Sequence, residues 1–367
     1  MKGIQMITYI FVNLMIIASG AVLELINSKD KLNTHRNKTS AHVFLILSFT
    51  LLLAISSFRG SFTTDYTNYV YLFERYNQYG FFDVFRVGFP QEKGYIFLNR
   101  LIGLFTSNPL YLFITVSFVT LYGFYSQIRK YSIYVSLSVI MFVTVGSYYT
   151  SFNTMRQILA VSIIFAGSKF LYDRKLLKYC LVVILAAFFH KSSLIMIPFF
   201  FILNLKIKFK NLVIVALALV LSTLYLDSII TFIQRAFYSV YTNNVYGTTG
   251  FSFKNAFLPI MIMIFCLFNY KKIDLNNTIN KIWMNAVIFY AFFSILGLKV
   301  QLTQRISEFF APYALLLIPL IFSKIKNNAL KGIYLCGLMF FLILYNYVTL
   351  NGTGYDPYYF IWDILHW

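Results

Sequence analysis

Arginine, histidine and carboxylate side chains at the ends of long apolar runs are the residues of this chain that could do chemistry. The arginines of this group are Arg59, Arg156 and Arg305. A guanidinium group binds phosphate oxygens through two parallel hydrogen bonds, and the start of a helix adds backbone N–H groups to that attraction. Three arginines at one level therefore predict a binding site for a diphosphate at a membrane surface. For each arginine taken alone, the simpler interpretation is a side chain that reaches the phosphates of the lipid headgroups.

Three further residues are candidates for the group that activates or orients a hydroxyl. His190, with an unperturbed pKa of about 6.5, could take a proton at neutral pH. The carboxylates of Asp65 and Glu92 could do the same, or could orient a sugar hydroxyl. A histidine bonded to a carbonyl group and acids solvated in loops are the competing interpretations. Glu308 lies three residues after Arg305, so this pair is either an intrahelical ion pair or part of the site.

Supporting roles are expected for Gln157, which follows Arg156, and for two tyrosines of the segment 66–79, Tyr66 and Tyr69. These tyrosines belong either to an aromatic belt at the membrane interface or to a surface that stacks on sugar rings. Neither a metal-binding pair nor a DxD, GxGxxG or Walker pattern occurs. We therefore expect no metal and no cofactor, and soluble nucleotide chemistry is excluded.

The composition describes the environment in which these side chains must be held. Of 367 residues, 59% are hydrophobic and 12% charged, and the mean hydropathy is +0.71. Soluble domains are about 45–50% apolar and about 25% charged, so a soluble enzyme is excluded. The net charge of +19 is explained by basic loops beside anionic lipid, and no nucleic-acid partner is needed.

Apolar runs of about one bilayer thickness predict an all-α, polytopic integral membrane protein whose single transmembrane domain covers residues 1–367. About twelve spans are expected, at 4–26, 42–58, 109–128, 131–149, 153–172, 177–189, 192–204, 211–230, 256–270, 282–298, 306–323 and 330–349. The first run is long enough for a membrane helix and is not taken as a signal peptide. Residues 94–106 are short and contain Arg100, which predicts a re-entrant or interfacial helix on the outer face.

Lysine and arginine are concentrated at alternate ends of these spans, for example at Arg129-Lys130 and at Arg174-Lys175. The positive-inside rule makes those ends cytoplasmic, which leaves both termini outside. Most acidic residues, and three longer mixed segments, then lie on the outer face. These outer segments are the loops 59–108 and 231–255 and the tail 351–367. The polar chemistry is therefore expected to face outward.

Several short motifs, taken in order, resemble those of the EpsG family of polysaccharide-polymerising membrane proteins, which are close in role to the Wzy polymerases of O-antigen, capsule and exopolysaccharide. The resemblance covers about residues 55–320. Its motifs are Arg59-Gly60, Asp65-Tyr66 with Tyr69, Glu92-Lys93-Gly94-Tyr95, Arg156-Gln157-Ile158-Leu159-Ala160, the segment AAFFHKSSL at 186–194, and Arg305.

The resemblance implies a GT-C-like glycosyltransferase in the bacterial cytoplasmic membrane that uses undecaprenyl-diphosphate-linked oligosaccharides without a nucleotide sugar. Arg156 and Arg305 would bind the leaving diphosphate, with Arg59 as a weaker third ligand. His190, Asp65 or Glu92 would activate or orient the acceptor hydroxyl, and the transfer is expected to be metal-independent. A chain-length regulator is the expected protein partner.

Two alternatives stay open, of which the first belongs to another functional class and the second is also an enzyme. A flippase or transporter of lipid-linked oligosaccharide would also suit about twelve spans, but it should place charged groups near the bilayer midplane and often has internal repeats. This sequence has its strongest charges at helix ends and no visible repeat. An O-antigen ligase-like transferase would share the diphosphate site and use a different acceptor.

Overall fold

The computed structural model describes residues 7–29, 34–60, 63, 65–206, 253–299, 301–350 and 358–363. Within these ranges the chain is all-α, as expected, and a single β-bridge joins Arg59 to Phe360. The helices are α1 (Ile7–Lys29), α2 (Thr34–Ser57), α3 (Tyr66–Asn77), α4 (Lys93–Gly103), α5 (Leu110–Tyr131), α6 (Val135–Thr144), α7 (Ser147–Asn153), α8 (Met155–Ala166), α9 (Ser168–Tyr172), α10 (Leu176–Ala187), α11 (Met196–Asn204), α12 (Phe253–Phe268), α13 (Thr278–Leu296), α14 (Gln301–Ser307), α15 (Ala311–Ser323) and α16 (Asn328–Leu350). Short 3-10 turns occupy Asp83–Phe85, Lys191–Ile195, Tyr270–Lys272 and Ile361–Asp363.

Six helical segments in the described ranges are long and apolar enough to cross a membrane. They are Ile7–Leu25, Lys38–Ser57, Leu110–Tyr131, Val135–Asn153, Thr278–Leu296 and Asn328–Leu350. Shorter apolar helices occupy the other predicted spans, except 211–230. That span, and most of the predicted segments 231–255 and 351–367, lie outside the described residues. The count of twelve crossings and the GT-C-like arrangement stay predictions.

The helices at the periphery of the bundle carry large apolar side chains on their exposed faces. Phe11 of α1, Ile46 of α2 and Phe340 of α16 are all more than half exposed. Contiguous apolar surface of this kind is rare on soluble proteins and ordinary where lipid is the solvent. By contrast, α15 is buried along almost its whole length. The chain is therefore a membrane protein whose central helix is enclosed by others.

Two of the predicted spans are broken in the structure. The span predicted at 131–149 is divided between α6 and α7, because Gly146 adopts a left-handed conformation with φ of 109°. The span predicted at 153–172 is divided between α8 and α9 at Gly167, where a Cβ atom would lie 2.5 Å from the side chain of Val182 on α10. Both breaks come from backbone features that an apolar run does not reveal.

The predicted outer loop 59–108 contains two amphipathic helices, α3 and α4, with a core of their own. Tyr66 and Tyr69 are buried in that core, where the Tyr66 ring stacks on Phe113 and the Tyr69 hydroxyl donates to the carbonyl of Asn153 at 2.9 Å. These two tyrosines therefore form neither an interfacial belt nor an open sugar-stacking surface. The core joins α3 and α4 to the starts of α5 and α8.

Candidate functional site

An ion pair between Glu92 and Arg156 lies at the centre of the candidate site. Glu92 immediately precedes α4, and Arg156 is the second residue of α8. The Arg156 Nη1 atom donates to Glu92 Oε2 at 2.5 Å, and the two side chains are 26% and 12% exposed. The guanidinium carbon also lies 5.3 Å from the centre of the Tyr95 ring. The arginine is thus held against one carboxylate and one aromatic ring.

The other Glu92 oxygen faces the turn between α10 and α11. Glu92 Oε1 accepts from the backbone N–H of Lys191 at 3.3 Å and lies 3.7 Å from Nδ1 of His190. Burial, together with the charges of Arg156 and Arg305, lowers the pKa of His190 to about 3. His190 is therefore neutral at physiological pH, and its Nε2 atom is buried with no hydrogen-bond partner in the described part of the chain.

Asp65 precedes α3 and is partly buried. Burial raises the pKa of its carboxyl group, whereas the positive charges of Arg305 and Arg156 oppose that rise. The positive charges of the same two arginines also help burial to lower the pKa of His190. The structure thus brings together five of the residues predicted from the sequence, namely Asp65, Glu92, Arg156, His190 and Arg305.

Gln157 connects this cluster to α14. Its Nε2 atom donates to the backbone carbonyl of Arg305 at 2.8 Å, across 148 residues of sequence. Beside this contact lies a cavity of about 320 Å³, which Gln157, Arg305 and Glu308 help to line. Burial raises the pKa of Glu308 to about 7. Glu308 and Arg305, three residues apart in the chain, both face this cavity.

Arg59 has a different environment from the other two arginines. It is 1% exposed, and its guanidinium carbon lies 4.7 Å and 5.2 Å from the ring centres of Phe113 and Phe152. Its Nη1 donates to the carbonyl of Ser56, and its Nη2 lies 3.6 Å from the sulfur of Met155. Burial lowers the pKa of Arg59 to about 10, so the group stays charged. The structure does not bring Arg59 to a position where a diphosphate could reach it.

A comparison with family models gives a match. The model of the EpsG family matches residues 42–360, which is most of the chain. The chain belongs to the EpsG family. This confirms the resemblance stated from the motifs and indicates a polysaccharide polymerase-like role. Neither a curated protein nor a solved structure matches the chain.

Some residues of this candidate site are not among the site residues predicted from the sequence. Tyr95 beneath Arg156 and Gly94 at the Phe188 contact both fall in the motif Glu92-Lys93-Gly94-Tyr95, so the motif was a usable signal. Tyr290 and Tyr345 line the cavity from α13 and α16. Nothing distinguishes these two tyrosines from the many other aromatic residues in apolar runs.

Proposed function

We propose that this EpsG-family protein polymerises undecaprenyl-diphosphate-linked oligosaccharide units at the outer leaflet of the bacterial cytoplasmic membrane. A growing chain is transferred from its lipid diphosphate to a hydroxyl of another lipid-linked unit. One observation carries the proposal. Arg156 and Arg305 lie on helices far apart in sequence, yet both interact electrostatically with Asp65 and His190, beside a cavity. A paired cationic site of this kind suits a diphosphate leaving group.

Arg156 and Arg305 bind the diphosphate in this proposal and stabilise the charge that develops as it leaves. Arg156 offers five N–H donors, and one of its nitrogen atoms hydrogen-bonds to Glu92. The position of Arg156 in the first turn of α8 adds the positive end of the helix dipole. Because both arginines adjoin apolar helices, their charges act in a medium less polar than water.

Of the three residues expected to activate or orient a hydroxyl, Glu92 and Asp65 are proposed to position the arginines. Glu92 fixes Arg156 and at the same time bonds to the turn that carries His190. Asp65 holds a negative charge within reach of both arginines. With a pKa of about 3, the His190 imidazole is a weak base at neutral pH and is better suited to a hydrogen bond with a substrate oxygen.

The distribution of basic residues supports an outward-facing site. α8 begins at the cluster, and α9 leads to Arg174 and Lys175. At that same end, α5 closes with Arg129 and Lys130 in its last turn. Because cytoplasmic ends are enriched in Lys and Arg, the opposite end, with Arg156, is assigned to the outer face. Both termini are likewise proposed to lie outside, with a chain-length regulator as protein partner and without a metal in the transfer.

The proposal is tested by incubating the purified protein with lipid-linked repeat units extracted from the producing strain. We expect a ladder of chain lengths on a gel without added nucleotide. Arg156→Lys and Arg305→Lys should each lower the rate about 100-fold or more, because an ammonium group cannot replace a planar, two-pronged donor. Arg86→Lys is the matched control, since Arg86 is 83% exposed and forms its ion pair with Asp83, outside the candidate site.

Other outcomes distinguish the competing functions. Absence of a ladder from folded wild-type protein, or an undiminished ladder in both lysine variants, would overturn the proposal. Movement of unpolymerised units across a vesicle membrane would indicate a flippase instead. Transfer of chains only to an acceptor other than a lipid-linked unit would indicate a ligase-like enzyme.

A further inference from the structure

The cavity beside Arg305 lies outside the ion-paired cluster and is built by side chains from several helices. Tyr149 of α7, Tyr290 of α13 and Tyr345 of α16 contribute phenol groups, and Asn346 contributes an amide. Arg305 and Glu308 supply the charged groups. Its volume of about 320 Å³ is at the lower end of the range of ligand pockets, which is about 300–1,000 Å³. The cavity therefore suits a small ring rather than an entire lipid-linked unit.

The chemistry of the lining matches a sugar. Aromatic rings pack against the C–H faces of a sugar, whereas amide and carboxylate groups hydrogen-bond to its hydroxyls. Tyr149 is 2% exposed, and its hydroxyl is buried without a hydrogen-bond partner among the residues that are described. Gln304, another lining residue, is partly buried, and its Oε1 atom also has no hydrogen-bond partner among the described residues. Buried polar atoms normally have partners, so these atoms indicate a polar ligand.

Glu308 is the carboxylate of this cavity. Burial raises its pKa to about 7, close to the value at which a general base works best at neutral pH. Among the described residues, the titratable and charged groups that share its surroundings are the phenols of Tyr149, Tyr290 and Tyr345 and the guanidinium of Arg305. On α12, the lining residue is the uncharged Asn255, and the adjacent Lys254 is exposed.

The other carboxylates near the arginines are less suited to accept a proton. Glu92 is bound by Arg156 through one oxygen and by the Lys191 N–H through the other. Burial raises the pKa of Asp65, but two guanidinium groups oppose that rise because they favour its charged form. Of these three carboxylates, Glu308 is the one that lines the cavity, and burial is the cause of its raised pKa.

We propose that this cavity binds the acceptor sugar and that Glu308 is the catalytic base of the transfer. The inference rests on the proposed polymerase function. The acceptor hydroxyl oxygen forms a bond to the anomeric carbon of the donor sugar as the bond from that carbon to the diphosphate oxygen breaks. The bonding electron pair leaves with the diphosphate at Arg156 and Arg305, and the hydroxyl proton passes to the Glu308 carboxylate. The proton is then released to water, which restores the base.

The test compares Glu308→Gln with Glu74→Gln, an exposed carboxylate of α3 outside the site. With extracted lipid-linked units as substrate, Glu308→Gln should lower kcat about 100- to 10,000-fold. Its binding of undecaprenyl diphosphate should stay unchanged, because the arginines remain. The wild-type rate should rise with pH through about 7 as Glu308 loses its proton, and the residual rate of Glu308→Gln should lack that rise. Glu74→Gln should behave as wild type.

The result separates this inference from the proposed function. A Glu308→Gln protein with wild-type kcat and pH dependence would overturn the inference and leave the polymerase proposal standing. Absence of a ladder from the wild-type protein would overturn both. If Glu308→Gln does not fold, Glu308→Asp is measured instead, and we expect a reduced rate that still rises with pH. A Glu308→Asp rate that is independent of pH near 7 would contradict the role of the carboxylate.

Discussion

At the scale of single residues, the two oxygens of Glu92 fix two groups at once. One oxygen bonds to Arg156 and the other to the N–H of Lys191, so the carboxylate aligns a guanidinium with the His190 turn. A carboxylate that is only 12% exposed and has both oxygens hydrogen-bonded is well satisfied, and its removal would take away the ion-pair partner of Arg156. The position of Arg156 therefore depends on a contact made across 64 residues of sequence.

The low pKa of His190 gives a prediction about pH. A pKa lowered to about 3 keeps the imidazole neutral at every pH above that value, so His190 does not change its charge between about pH 5 and 8. We expect His190→Asn to lower the rate of polymerisation about tenfold, as for one lost hydrogen bond, without moving the midpoint of the pH profile. The measurement is the initial rate of ladder formation against pH for both proteins. A transition near pH 6.5 in the wild-type profile that is missing from the variant profile would show that His190 does titrate in the wild type.

At the scale of elements, the site depends on how closely the start of α4 approaches the end of α10. The Gly94 N–H donates to the Phe188 carbonyl at 2.9 Å. A Cβ atom at position 94 would lie 2.6 Å from Phe188 Cβ and 2.7 Å from that carbonyl oxygen. Because backbone atoms cannot give way cheaply, only glycine allows this contact, which places Glu92 against the His190 turn.

Gly94→Ala is therefore expected to separate α4 from that turn. Overpacking of this kind costs about 1–3 kcal/mol, so both the melting temperature in detergent and the rate of polymerisation should fall. The control is Gly337→Ala on α16, where nothing lies within 4 Å of the added atom. That change should preserve the rate and leave the melting temperature equal or higher, because alanine favours a helix over glycine. Equal melting temperatures and equal rates for the two variants would show that neither stability nor polymerisation depends on the close approach of α4 to α10.

The sequence predicted the elements better than their contacts. Apolar length and composition indicated the helices and the turn at His190, since these depend on local pattern. The break at Gly146 and the burial of Arg59 were not predictable, because a left-handed glycine and a guanidinium between two phenyl rings look like any glycine or arginine in the chain. The ion pair of Glu92 with Arg156 likewise joins separate motifs. Their order suggested a shared site, but only the fold supplies the contact.

At the scale of the whole molecule, the two ends of the bundle differ in charge. Arg174 and Lys206 lie close enough to Lys281 for their positive charges to repel it. Basic residues from three parts of the chain therefore gather at one end. At the other end, Arg156 is paired with a carboxylate and Asp65 lies near two arginines. A predominantly basic end opposite an end of mixed charge is the pattern that the positive-inside rule associates with the cytoplasmic and outer faces.

This asymmetry predicts which positions a membrane-impermeant reagent reaches. In a variant whose Cys180, Cys266 and Cys336 are serine, Asp83→Cys should react with a charged maleimide on intact cells whose cytoplasmic membrane is accessible. Lys175→Cys should react only after permeabilisation. Both side chains are exposed, at 63% for Asp83 and 51% for Lys175, so a difference in labelling reports sidedness rather than burial. The reverse pattern would put Arg156 and Glu308 at the cytoplasmic face, where chains built at the outer leaflet could not reach them.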